Sequence, residues 1–185
     1  GLAGDGEAIA VQQTGVEPIA AFRGEIVDRR ERLLASSIDA DTVIADLYQF
    51  PAKAKEAAVK LLAPALRATE QDLQKQLDSG SKAPVLGRKL DAETSNNVRN
   101  ILEQNHIPGI KIVRETRRLY PNGPLAAHIV GFVDSSNNGV TGLELKLNEY
   151  LNSQPGKQIV EKDALGHAFS RIDKEALSGA RIITT

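Results

Sequence analysis

In 185 residues the chain sets 23 Lys and Arg against 24 Asp and Glu, a net charge of −1, so no excess of positive charge marks it for nucleic acid or an anionic membrane surface. Aromatic residues make up only 4%, with no Trp, too few for a base-stacking platform, and the absence of Cys excludes disulfides, thiolate metal sites and a cysteine nucleophile. A 41% hydrophobic, 25% charged composition is that of an ordinary globular domain, and no apolar run is long enough to span a bilayer.

Methionine is also absent, even at position 1, which reads as a segment cut from a longer protein. Residues 1–18 are small, polar and Gly-rich, a flexible lead-in. Ile19–Asp28 alternates as a strand does, and Leu33–Ala35 and Asp41–Tyr48 read as two more, rich in β-branched residues. Beyond Pro51 the period changes. Ala54, Ala57, Ala58, Leu61, Leu62, Ala65 and Leu66 form one helical stripe. Thr69 and Asp72 resemble a capping box opening a second helix that runs to about Leu77. Pro84–Leu90 reads as a short strand. Asp91 can cap a third helix, which ends near Asn105, before Pro108-Gly109.

Ile110–Leu119 alternates as a strand, and Tyr120-Pro121-Asn122-Gly123-Pro124 is a rigid turn. Ala126–Val133 is a short apolar segment. Leu143, Leu147, Tyr150 and Leu151 fall on one face of a fourth helix, closed by Pro155-Gly156. Lys157–Asp163 and His167–Ile172 read as a hairpin turning at Ala164-Leu165-Gly166. Strands and helices come in blocks, not in βαβ repeats, which predicts an α+β fold. The domain plan is a β-rich core from 19–50 and 105–185, with a helical subdomain, 51–104, inserted in it.

Chemistry is sparse. His106, His128 and His167 stand far apart and read as loop or core histidines, not as metal ligands. Ser79-Gly80-Ser81-Lys82 matches S-x-x-K, the nucleophile motif of penicillin-binding proteins and β-lactamases. Ten serines and eleven lysines supply about 0.6 such matches by chance. Gly80 and Pro84 also forbid the helix that would set both side chains in one cleft, and K-T-G is missing. Two charged clusters remain, Arg23/Asp28/Arg29 and Arg114/Glu115/Arg117/Arg118, with Glu144 alone at the head of a helix. They read either as solvated faces or as arginine forks reaching Asp28 and Glu144 across strands.

Several blocks carry a resemblance. Arg23-Gly24-Glu25-Ile26-Val27-Asp28-Arg29, then Leu34-Ala35, is similar to R-G-x-I-x-D-R-x-G-x-x-L-A of class B penicillin-binding proteins. Pro108-Gly109-Ile110, Arg117-Arg118-Leu119-Tyr120-Pro121-Asn122-Gly123 and Ala126-Ala127-His128-Ile129-Val130-Gly131-Phe132 resemble P-G-I … R-x-Y-P-x-G … A-H-x-x-G-F. Gly139-Val140-Thr141-Gly142-Leu143-Glu144 resembles G-x-x-G-x-E. The stretch Lys162-Asp163-Ala164-Leu165-Gly166 resembles the R/K-D-x-x-G hairpin. Together they cover residues 20 to about 185 and match the family's non-catalytic pedestal or dimerisation module, most like its division-specific branch.

The resemblance implies an elongated pedestal of antiparallel strands with a helical head. It implies a scaffold in peptidoglycan cross-linking, with no catalytic residue, metal or cofactor of its own. Arg23, Gly24, Asp28, Arg29, Arg117, Tyr120, Pro121, Gly123, His128, Gly131, Gly142 and Glu144 would be structural motif residues, with Arg23, Asp28, Arg117 and Glu144 bridging the N-terminal strand, the Arg117 strand and the helix after Gly142. The implied partners are a serine D,D-transpeptidase domain in the same parent chain, a membrane glycan polymerase and other division or elongation proteins. The implied location is extracytoplasmic, in the periplasm or on the outer face of the inner membrane, tethered by a helix outside this sequence. The alternatives are a stand-alone homodimerising domain and a small serine acyl-enzyme using Ser79. Two departures stand out. Glu31 replaces the usual glycine after the D-R pair, which predicts another turn geometry or an extra residue. Asn152-Ser153-Gln154 replaces a glycine after Leu151.

Overall fold

In the computed structural model, which describes residues 15–185, the chain divides into two units. Among the described residues the first comprises 15–38 and 118–185, and the second is the intervening Asp39–Arg117. The structure is mixed α+β. Of the lead-in expected at 1–18, residues 1–14 lie outside the described residues, and from Gly15 the backbone is already in a strand.

In the first unit β1 (Gly15–Ile19) pairs antiparallel with β6 (Gly156–Lys162), and β6 with β7 (Ala168–Lys174). The β6–β7 pair is the hairpin read from the sequence. Separately, β2 (Ile26–Asp28) pairs antiparallel with the start of β3 (Leu33–Ala45) and parallel with β8 (Ile182–Thr184). Three short helices complete the unit: α4 (Pro124–Val130), α5 (Gly142–Lys146) and α6 (Asn148–Leu151). Ile26, Ala35, Val130 and Leu151 form its buried core.

The single strand expected over Ile19–Asp28 is broken between Ile19 and Ile26. Here the backbone bonds to other segments instead: Gly24 N–H donates to the Leu151 carbonyl at 2.8 Å, and Gly179 N–H to that of Phe22 at 2.9 Å. Leu33–Ala35 and the strand after Asp41 prove to be one element, β3. The strand runs unbroken through Ser36-Ser37-Ile38-Asp39-Ala40, despite the weak strand propensity of its serines and aspartate. The apolar segment at 126–133 is helical through Val130, opened by Pro124 at the position where a missing N–H costs nothing.

Asp28 closes the turn into β3. Its backbone N–H donates to the Arg32 carbonyl at 3.0 Å, and Glu31 N–H donates back to the Asp28 carbonyl at 2.9 Å. The Asp28 carboxylate accepts the Arg30 and Arg32 N–H groups at 2.8 and 3.0 Å and Arg32 Nε at 2.7 Å. Glu31 itself sits at φ 61°, the left-handed conformation a glycine would take. The expectation of another geometry is therefore corrected: these bonds hold the three-residue turn and Glu31 bears the strain. Glu31→Gly is expected to stabilise the chain by about 1 kcal/mol, the cost of a left-handed non-glycine residue, against an exposed Arg181 contact at 3.8 Å that contributes little. A raised urea midpoint checks it, and an unchanged one counts against strain at Glu31.

The second unit holds the rest of β3, β4 (Val85–Leu90), helices α1 (Lys55–Ala65), α2 (Glu70–Leu77) and α3 (Ala92–Asn105), and β5 (Ile110–Leu119) up to Arg117. It is wider than the helical stretch 51–104 because the helices need a sheet to bury their stripe. Ala58, Val59, Leu62 and Ala63 of α1 share one core with Val43 and Ala45 of β3, Leu86 of β4, Leu73 and Leu77 of α2 and Val98 of α3. The Asp91 cap forms as the sequence predicts, whereas of the capping box at Thr69 only the hydroxyl's half forms. Thr69 Oγ1 accepts Asp72 N–H at 3.1 Å, and Asp91 Oδ1 accepts Thr94 N–H at 2.8 Å.

Asp41 on β3 accepts hydrogen bonds from the Ser95 hydroxyl and, at 2.9 and 3.0 Å, from Arg99 and Arg114. Burial pushes its carboxyl up, but the Ser95 and Arg99 bonds and the two guanidinium charges outweigh this and hold it below the ordinary range. A carboxyl lowered in the folded state adds stability above its unfolded value, about 3.9, and loses it as pH falls through the lower folded value. Unfolding of the wild-type chain is expected to be pH-independent in this respect at neutrality and to steepen below about pH 4. Asp41→Asn should make that acid limb shallower, and an identical limb would count against Asp41.

Candidate functional site

The side chain with the most conspicuous setting is Glu144. It lies in the first turn of α5, where a carboxylate suits the positive end of the helix, yet it is 0% exposed. Around it, Arg23 is 2% exposed. Arg23 Nε donates to Glu144 Oε1 at 3.2 Å, and Arg118 Nε and Nη2 donate to Oε2 and Oε1 at 2.8 and 3.0 Å. The Tyr120 hydroxyl donates to Oε2 at 2.8 Å. Burial first, and then the bond to this carboxylate, raise the Tyr120 phenol far above its ordinary value. Burial also pulls the Arg23 guanidinium down, opposed by the Glu144 charge.

Two guanidiniums face one carboxylate, and neutral oxygens share the extra charge. Arg23 Nη1 donates to the carbonyl of Asn137 at 3.0 Å and to Oδ1 of Asn148 and Asn152 at 2.9 and 2.7 Å. Arg23 Nη2 reaches the Glu144 carbonyl at 2.7 Å. Arg118 Nη1 donates to Ser37 Oγ at 3.0 Å and to the Arg23 carbonyl at 3.2 Å. Among the described residues no buried side-chain polar atom lacks a partner, as a buried ionic network requires.

Of the residues singled out from the sequence, the structure brings together Arg23, Arg118, Tyr120 and Glu144. It does not bring Arg117 or Asp28. Successive residues on a strand face opposite ways, so Arg118, not Arg117, turns to Glu144, while the charge of Arg117 acts on the Asp91 cap. Asp28 serves its own turn. Arg29, Pro121 and His128 are exposed, and Gly123 precedes α4 as its N-cap. A Cβ on Gly131 would lie 2.0 Å from the Thr141 carbonyl oxygen, and one on Gly142 would lie 2.6 Å from that of Ile129. Both glycines let α4 and α5 approach, which seats Glu144. Arg118 was read only as one member of the second charged cluster, with the bridge given to Arg117, and Ser37, Asn148 and Asn152 were missed by the sequence reading. Asn148 and Asn152 stand four and eight residues after Glu144, a helical spacing that would have found them.

The chemistry open to this arrangement is structural. Four hydrogen bonds fill the Glu144 carboxylate, and its burial leaves no face for a substrate. Elsewhere, Ser79 and Lys82 are exposed on an irregular segment, with Lys82 Nζ 5.4 Å from the centre of the Tyr48 ring. His106 ends α3 in a left-handed conformation, and His167 pairs with Asp163 at 3.1 Å. Among the described residues no three His, Asp or Glu side chains are grouped to hold a metal, and no helix is long and apolar enough to cross a membrane.

A family model, the penicillin-binding protein dimerisation domain, matches residues 18–184. Peptidoglycan D,D-transpeptidase FtsI of Escherichia coli (strain K12) is 30% identical over 178 residues, which cover 91% of this chain and 28% of that protein. Probable peptidoglycan D,D-transpeptidase FtsI of Caulobacter vibrioides is 33% identical over 135 residues, 72% of this chain and 22% of that one. The chain thus spans only about a quarter of the length of these curated relatives. Among solved structures, PBP2 in its complex with MreC from Helicobacter pylori superposes with a TM-score of 0.65 at 20% identity, covering 91% of this chain and 34% of that one. Penicillin Binding Protein 2X from Streptococcus thermophilus gives 0.58 at 24% identity, covering 91% and 29%. With its family model matched over nearly the whole length, the chain belongs to the penicillin-binding protein dimerisation domains.

Proposed function

We propose that this chain is the non-catalytic, extracytoplasmic scaffold of a membrane-anchored class B penicillin-binding protein that cross-links peptidoglycan in cell division or cell-wall growth. It carries a serine D,D-transpeptidase domain of the same parent chain and offers surfaces to a membrane glycan polymerase and other division or elongation proteins. One observation carries the reading. The Arg23–Glu144–Arg118 network is buried and saturated, so the most elaborate polar constellation in the first unit holds segments in place and meets no substrate. The peptidoglycan D,D-transpeptidase names of the curated relatives support the parent enzyme's class, and the MreC complex of the Helicobacter pylori protein supports partner binding. Arg23, Gly24, Asp28, Tyr120, Gly131, Gly142 and Glu144 are positioning residues in this reading.

Treating the chain with a fluorescent β-lactam and locating any adduct by mass spectrometry tests it. No covalent label is expected, and a stoichiometric adduct on Ser79 would overturn it in favour of an acyl-enzyme. A homodimer is the second reading, favoured by the outer strands of the β1–β6–β7 sheet, where Val16, Phe169 and Ile172 are 66%, 55% and 57% exposed. Sedimentation velocity separates the two: a monomer at high concentration removes the dimer.

A further inference from the structure

The second unit holds a polar cavity that the scaffold role does not use. Its floor is Asp41, whose side chain is 12% exposed and which is gripped by Ser95, Arg99 and Arg114. Ser95 and Arg99 lie four residues apart on α3, so both project on one face. Arg114 comes from β5, and its Nη1 also reaches Asp39 Oδ2 at 3.0 Å. A cavity of about 460 Å³ opens beside them, with Asn96 on its wall.

A guanidinium has five N–H donors. Arg99 uses one on Asp41 and Arg114 uses one on Asp41, with Nη1 of Arg114 also in an ion pair with Asp39. The remaining donors stand on side chains 44% and 53% exposed, fixed from behind by a nearly buried carboxylate. Such pre-ordered forks suit a ligand carboxylate, because little side-chain freedom is left to lose. The second oxygen of Asp39, on a half-exposed side chain, suits an ammonium. A bare anion would be repelled by Asp39 and a bare cation by the two arginines. A ligand bearing both charges satisfies each.

We propose that the Asp39–Asp41–Arg99–Arg114 cavity binds an uncross-linked peptidoglycan stem peptide by its free carboxylate and free ammonium. The inference rests on the scaffold reading for its ligand class and gives the module a direct hold on the polymer its parent enzyme processes.

The test is an NMR titration of the ¹⁵N-labelled chain with a soluble disaccharide–tetrapeptide. Saturable amide shifts at Ala40, Ser95 and Asn96 are expected, with affinity falling about tenfold or more in Arg99→Gln and in Arg114→Gln. Asp39→Asn leaves the Asp41 anchor intact and should weaken only the free-ammonium probe, not its N-acetylated form. That comparison decides the matter even if an arginine variant fails to fold. Shifts that do not saturate at millimolar probe, shifts mapping away from α3, or an Asp39→Asn protein that treats both probes alike would overturn it. Absent binding with an unlabelled Ser79 removes this site and leaves the scaffold intact, whereas a labelled Ser79 removes the scaffold whatever the titration shows.

Discussion

Glu144→Ala is expected to cost about 3–5 kcal/mol, the range for breaking a buried ion pair from one side, which is a large part of the roughly 5–15 kcal/mol that holds a domain folded. The reason is charge balance. Arg23 and Arg118 have side chains 1% and 2% exposed, and without the carboxylate both would be buried cations with only neutral acceptors. Arg118→Met is the informative contrast. It removes the surplus charge and leaves Arg23 and Glu144 as a balanced pair; the bonds of Arg118 to Glu144, Ser37 and the Arg23 carbonyl are lost, but so is the cost of burying a second cation. Urea unfolding followed by circular dichroism, with unchanged slope, should therefore rank Glu144→Ala well below Arg118→Met. Equal midpoints would mean that packing, and not charge, sets the stability of this site. Glu144→Gln should fall nearer to alanine than to wild type, because it keeps the shape and loses the charge.

The helices of the second unit were legible because each signal is local. Thr69 and Asp91 name their own structure within a few residues, and the apolar period marks α1, although its stripe named Ala57 and Leu61, which are exposed, and not Val59 and Ala63, which are buried. Glu144 is different. Its partners stand 121 and 26 residues away in the chain, and no local pattern announces them. The motif resemblance pointed to Arg23 and Glu144 but selected Arg117, because a motif aligns letters while the strand alternation decides which letter turns inward. Asn148 and Asn152 went unread for a further reason. A single helix was expected from Leu143 to Leu151, and the apolar face was read while its polar face, which continues the line from Glu144, was not. The break at Leu147 that makes α5 and α6 two helices leaves that line intact. At Glu31 the intrinsic preference was read correctly as unfavourable, but the carboxylate of Asp28 and the backbone bonds around it outweigh a penalty of about 1–2 kcal/mol.

Gly24→Ala is expected to be the second most damaging change, at about 3 kcal/mol, the upper end of what overpacking costs. Gly24 is needed for space and not for an unusual backbone angle. A Cβ there would lie 1.8 Å from the Ala180 carbonyl oxygen and 2.6 Å from its carbon. Neither side can retreat cheaply. Gly24 N–H is bonded to the Leu151 carbonyl, Ala180 N–H to that of Tyr150 at 2.9 Å, and Ile182 N–H to that of Glu25 at 2.8 Å. Displacing Gly24 also displaces Arg23, whose carbonyl and guanidinium both serve the buried network. The two sites should therefore be coupled, and Gly24→Ala combined with Glu144→Ala should cost less than the sum of the single changes by more than about 0.5 kcal/mol. Gly15→Ala is the control. Nothing lies within 4 Å of a Cβ built on Gly15, so its midpoint should move by no more than about 0.5 kcal/mol. If Gly24→Ala behaved like Gly15→Ala, the 179–182 segment could shift away from residues 22–25 without loss, and the close backbone contact would not be what holds Arg23 against Glu144.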